Sequence, residues 1–305
     1  MFHRYLPIAL AALVSVPAGA GFAAAAAPIP VDSLQVVDLP RYKLYGPDIA
    51  SLQLTRHEMD YAFNQFRRYI GDSPPKLTIA VLGSLPDPSR VSAASLREAG
   101  VDYVLTDWPP RAGAPPPAPE LSERAGRWYL AAFERVNARA SPPPGKARLT
   151  PDWFDSAVAG LCASPVEQGR RLGLVSAHID QHIPIDRLLA MSRPEPGPPA
   201  KSKGQPANAA KSGGKSTPAA GKPAPAGATG ADAPFYDAEA LSFARFLAMR
   251  EGDRFIGWVL EPILAGEPAS AGLNRAKTLF PRPDQLETAW VAWVKGGMKN
   301  EAPQQ

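Results

Sequence analysis

Four histidines, one cysteine and 29 acidic residues are the side chains of this sequence best suited to hold a metal or move protons. Their densest arrangement is His178-Ile179-Asp180-Gln181-His182, two imidazoles four residues apart with an acid between them. On a helix that spacing puts both rings on one face, where they can share a Zn²⁺ given a third ligand. Ile183-Pro184 follows at once, and Leu172-Gly173-Leu174-Val175 before it reads as extended, so the pair is expected on a loop, where a spacing of four loses that meaning. His57-Glu58 opens like H-E-x-x-H, but Tyr61 stands where the second imidazole is needed, and Glu58 fits a capping box with Thr55. Glu251, Asp253, Glu261 and Glu267 offer carboxylates for a glycosidase-like pair, yet nothing in the sequence fixes their separation, and solvated helix ends explain them more simply. Cys162 reads as a small buried hydrophobe on a helix rather than a reactive thiol. No Gly-x-Ser-x-Gly elbow, phosphate-binding loop or dinucleotide fingerprint is present.

The elements that must position these residues fall into two parts. Residues 1–26 have the form of a secretory signal: Arg4, an apolar run from Leu6 to Val16, then small residues with Ala18-Gly19-Ala20 as one cleavage site. Export to periplasm or medium is expected, and no later run approaches the ~20 apolar residues of a spanning helix. Residues 28–192 mix strand and helix patterns. Leu34–Val37, Leu77–Leu82 and Val101–Leu105 are apolar, β-branched runs read as strands. Helices are expected over Thr55–Ile70, Leu121 to about Ala138, and from Thr150 as N-cap with Pro151 at the first helical position.

From 193 to 234 the chain is almost wholly Pro, Ala, Gly, Ser and Lys; it cannot offset its ordering entropy by burial and reads as a disordered linker or insertion. Residues 235–297 read as helices only: one capped by Asp237, one around Phe255–Leu264 kinked at Pro262, and one opened by Asp284-Gln285-Leu286-Glu287. This part, marginal as an independent core, is expected to lie against the first, and 298–305 is a tail. Net charge is +4 and the pI about 9.2, but lysines of the low-complexity stretch supply much of the excess and no nucleic-acid motif accompanies it, so no nucleic-acid partner is expected.

The order of these segments and several phrases resemble the peptidase MA-like family of gluzincin-type zinc metallopeptidases. Leu149-Thr150-Pro151-Asp152-Trp153-Phe154-Asp155-Ser156-Ala157-Val158-Ala159 resembles its P-x-W-L-x-E-G-L-A helix. Ile183-Pro184-Ile185-Asp186-Arg187-Leu188-Leu189 resembles its I-P-L-x-x-L-L segment, Tyr236–Glu261 its Y-x-x-S-x-x-F-x-x-F-L helix and successor, and Leu286–Val294 its closing L-E-x-x-W-x-x-W-L. The resemblance implies a gluzincin-like α+β fold, with a small N-terminal sheet and helices followed by a mainly helical lobe. It also implies zinc held by H-E-x-x-H and by the Glu of W-L-x-E-G.

Here Ser156 stands at the position of that Glu, and Asp155, about 100° around the helix, is expected to point away from it. The helix from Leu121 has no histidine, and Arg127 would set a fixed positive charge near the former metal position. The expectation is a degenerate member without cofactor, with Arg127, Trp153, Asp155 and Ser156 marking the old cleft. Its role would be to bind or scaffold a peptide, protein or envelope component. The competing expectation is an active hydrolase with zinc on His178 and His182.

Overall fold

Four short strands form a mixed sheet at the N-terminal end of the computed structural model, which describes residues 27–110, 119–194, 233–275 and 283–298. β1 (Gln35–Asp38) runs antiparallel to β2 (Tyr42–Gly46); β2, β3 (Leu77–Val81) and β4 (Tyr103–Leu105) are parallel, in the order β1-β2-β3-β4. The pairing Leu44↔Ile79 and Tyr45↔Ala80 sends alternate side chains to opposite faces. Leu44, Ile79 and Val81 enter the main core beneath α1 (Ile49–Ile70) and α3 (Leu121–Asn137). Tyr45, Ala80 and Leu82 enter a smaller core with Val31, Leu34 and Leu96 of α2 (Ala93–Glu98). Both parallel connections step across the sheet in the same direction, so helices on opposite faces give them opposite hands, and one departs from the right-handed rule. The rule rests on a long helix lying back on the sheet, a constraint that the six-residue α2 scarcely imposes.

The rest is helical: α4 (Asp152–Cys162), α5 (Pro165–His178), α6 (Ile185–Ala190), α7 (Ala233–Glu251), α8 (Phe255–Leu264), α9 (Ala269–Leu273) and α10 (Pro283–Lys295). α4 lies between α3 and α7. Its approach to α3 is so close that a Cβ on Gly126 would meet the Cβ of Cys162 at 2.7 Å. α7 is buried around almost its whole circumference, from Tyr236 to Ala248, with Asp237, Glu239 and Ser242 among its buried residues. Phe243 of α7 meets Trp153 of α4 and Trp290 of α10. The second part is thus built into the core of the first.

Several local expectations are corrected. α1 begins at Ile49, and its cap is Asp48, whose carboxylate accepts from the Ser51 amide at 2.7 Å. Thr55 lies inside the helix, where its hydroxyl donates to the Ser51 carbonyl, so the Thr55–Glu58 capping box does not form. Thr150 does not cap α4; its hydroxyl donates to Glu134 at 2.6 Å. α7 begins four residues before Asp237, whose carboxylate instead receives Arg193. Leu172–Val175 is helix rather than strand, because Pro165 at the first position and Ser164 as cap open α5 upstream of it. β2 was not expected, since Lys43 interrupts an otherwise aromatic and aliphatic run. Residues 1–26, expected as a signal, and nearly all of the 193–234 stretch and the 298–305 tail lie outside the described residues. Among the described residues no helix is long and apolar enough to cross a membrane.

Candidate functional site

The residues marked by the sequence converge on α3 and α4. Along α3, Glu123 and Arg127 lie one turn apart and face α4 and α5; Glu134 lies two turns further on. Arg127 pairs with Asp155 of α4 and, at 3.5 Å, with Glu123. Glu123 takes Arg171 of α5 at 2.5 Å, and Arg171 takes Glu167 at 2.8 Å. On the other side, the second oxygen of Asp155 takes Arg148 at 2.5 Å, and Arg148 reaches Glu134 at 3.1 Å. Glu134 also accepts from the Leu149 amide and the Thr150 hydroxyl. The result is one chain of alternating sign: Glu167, Arg171, Glu123, Arg127, Asp155, Arg148, Glu134. Glu123, Glu134 and Arg171 are buried, whereas the central pair Arg127 and Asp155 is partly exposed and Arg148 reaches the surface at 30% side-chain exposure. The Arg170 hydrogen bonds, joined by Arg171, hold Glu167 down at about 2 against its burial.

Ser156 is fully buried beside this chain and donates to Asp237 at 2.7 Å. The same carboxylate is gripped by the Arg193 guanidinium at 2.8 and 2.6 Å, while the Arg193 amide donates to Asp152. Arg193 therefore ties the end of the first part to the start of α7. Trp153 is buried at 1% exposure among Phe154 and Phe243. Asp155, expected to point away, instead faces Arg127. With Trp153 and Ser156 buried, the expected open cleft at these positions is replaced by packed core. The sequence could not reveal this, because the guanidiniums that fill it come from α3, α5 and the loop before α4.

His178 and His182 do not share a helix face. α5 ends at His178, a 3₁₀ turn covers Ile179–Gln181, and His182 follows it. His178 is exposed and meets Phe235 edge-on. His182 has both ring nitrogens turned onto protein oxygens, Nδ1 on the Ile179 carbonyl at 2.9 Å and Nε2 on Glu287 at 3.1 Å. Among the described residues no three His, Cys, Asp or Glu side chains gather as a metal site. His57 is exposed on α1, and Asp253 and Glu261 are taken by Arg68 and Arg275. Cys162 is fully buried, which pushes its thiol well above the usual range.

One titratable group was missed. Glu239 of α7 is fully buried; one oxygen accepts from the Ile183 amide at 2.9 Å and the other has no partner. Burial pushes its carboxyl up to about 8, so it is mostly protonated at neutral pH. An acid in an apolar helix is not distinctive in sequence, and its partner lies 56 residues away.

A groove of about 830 Å³ lies elsewhere, along α8 and the C-terminal ends of α1 and α3, bordered by Arg139, Arg254 and Trp258.

Comparison with known proteins finds no matching family model, no curated relative and no similar solved structure.

Proposed function

We propose that this is an exported, non-catalytic binding or scaffolding protein of the cell envelope, built on a degenerate peptidase MA-like scaffold. The observation that carries the reading is the partly buried chain of charges through Arg127 and Asp155. On such a scaffold Glu123 and Arg127, four apart on α3, would take the positions of the two imidazoles of an H-E-x-x-H helix. Arg127 brings its own positive charge to that place and Asp155 neutralises it, while Ser156 turns to Asp237. The carboxylates of Glu123, Glu134 and Asp155 and the Ser156 hydroxyl are each engaged by another protein group. A guanidinium stays protonated at all ordinary pH values and cannot act as the base that a hydrolase needs. The Leu6–Val16 run with its small-residue cleavage sites supports export.

The test is an assay of the purified chain from residue 28 on casein and on a fluorogenic peptide mixture, with and without added zinc, together with photo-crosslinking in intact cells. No zinc-dependent cleavage, and a reproducible crosslinked partner, are expected. Cleavage that disappears in a His178→Ala, His182→Ala variant would overturn the proposal in favour of the competing hydrolase.

A further inference from the structure

The groove, unlike the charged core, gathers the ends of three helices at an open surface. α1 stops at Ile70, α3 at Asn137 and α8 at Leu264, and all three ends line it. A helix end leaves its last carbonyls without partners inside the helix. Among the described residues, the carbonyls of Ile70, Val136 and Asn137 accept no hydrogen bond. Pro262, in the last turn of α8, has no N–H for the Trp258 carbonyl, and Arg275 takes that oxygen at 3.4 Å while pairing with Glu261 at 2.6 Å. Arg139 and Arg254 have no ion-pair partner among the described residues.

Arg254, the N-cap of α8, and Trp258 in its first turn both line the groove. Trp258 is 50% exposed and Val136, from α3, is 67% exposed. Gly257 lets the two helices meet beneath them, since a Cβ there would stand 2.2 Å from the Ile70 carbonyl oxygen. Asp72 and Glu267 also border the groove, so three arginines balance three acids and a polyanion is not favoured. What fits is a ligand that brings N–H donors, carbonyl or carboxylate acceptors and one apolar side chain together, which is the chemistry of a peptide. The volume lies within the ~300–1,000 Å³ of small-ligand sites, and half-exposed Trp flanked by Arg is the composition of interface hot spots.

We propose that this groove binds a short peptide segment of a partner, with an apolar side chain against Trp258 and Val136 and its carbonyl or carboxylate oxygens on Arg139 and Arg254. The proposal rests on the binding reading above and names the ligand class. The test is selection of a phage-displayed random heptapeptide pool on the purified chain, with a Trp258→Ala, Arg254→Ala variant as counter-target. Peptides sharing an apolar and an acidic residue should enrich, and the synthetic winners should bind at least ~10-fold more weakly to Trp258→Ala and to Arg139→Ala, Arg254→Ala. All of these positions are exposed, so the variants should keep the parent circular dichroism and melting profile. No enrichment over the counter-target, or winners that bind the variants equally, would overturn the groove proposal. A crosslinked partner found at another surface would then leave the binding function standing without it.

Discussion

Replacing Glu239 by Gln should make the protein more stable at alkaline pH while leaving it nearly unchanged at pH 5. The amide has the shape of the neutral acid and keeps an oxygen for the Ile183 amide, so the fold loses no contact. The parent carboxyl holds its proton in the folded protein up to about 8 against an ordinary value of 4.5, so the unfolded chain releases that proton first. Stability contributed by the neutral form is therefore complete below about 4.5 and declines as the pH rises through the interval to about 8. At ~1.4 kcal/mol per pH unit the whole interval is worth about 5 kcal/mol. Urea unfolding followed by circular dichroism at pH 5, 7 and 8.5 on both proteins checks this. The variant should match the parent at pH 5 and exceed it by several kcal/mol at pH 8.5. A difference that stays constant with pH, or a variant less stable at pH 8.5, would refute the assignment of a neutral buried acid.

Asp155→Ala should cost roughly 1.5–3 kcal/mol in chemical denaturation, because Arg127 and Arg148 lose their shared carboxylate but keep Glu123 and Glu134 and some solvent. Ser156→Ala should cost only ~1 kcal/mol, since Arg193 still holds Asp237; a loss as large as that of Asp155→Ala would show that the hydroxyl matters beyond this bond. Glu167→Gln should lower stability at neutral pH, and the deficit should shrink as the pH falls from about 4.5 towards about 2, where the parent loses the charge that Arg170 and Arg171 stabilise; urea midpoints across that range read it out. Replacing residues 196–231 with a short Gly-Ser linker should leave the melting temperature within a few degrees of the parent, because Arg193 and α7 anchor both flanks. A collapse of cooperative melting would mean that the stretch contributes to the core.

Much of the fold could be read where apolar period and breakers agree. The α3 helix ends one residue before its expected limit, two of the four strands lie within expected runs, and β1 overlaps one, ending one residue later. What failed was cap chemistry. Thr55, Thr150 and Asp237 each have the residue type of an N-cap, yet each is used inside a helix or across elements, because Ser51, Glu134 and Arg193 compete for them. Asp155 and Ser156 were found from sequence but their surroundings were not. Arg148 is close in sequence, whereas Arg127 and Asp237 are 28 and 81 residues from their partners. The groove is assembled from three helix ends remote in the chain and leaves no local pattern.

The most direct test of the central claim, that an internal ion pair occupies the place of a metal, is zinc analysis of the purified chain from residue 28 after dialysis against zinc and removal of loosely held ions. The claim predicts no stoichiometric zinc and an unfolding midpoint that zinc does not move. One zinc per chain, lost together with the added stability when His178 and His182 are changed to alanine, would contradict it.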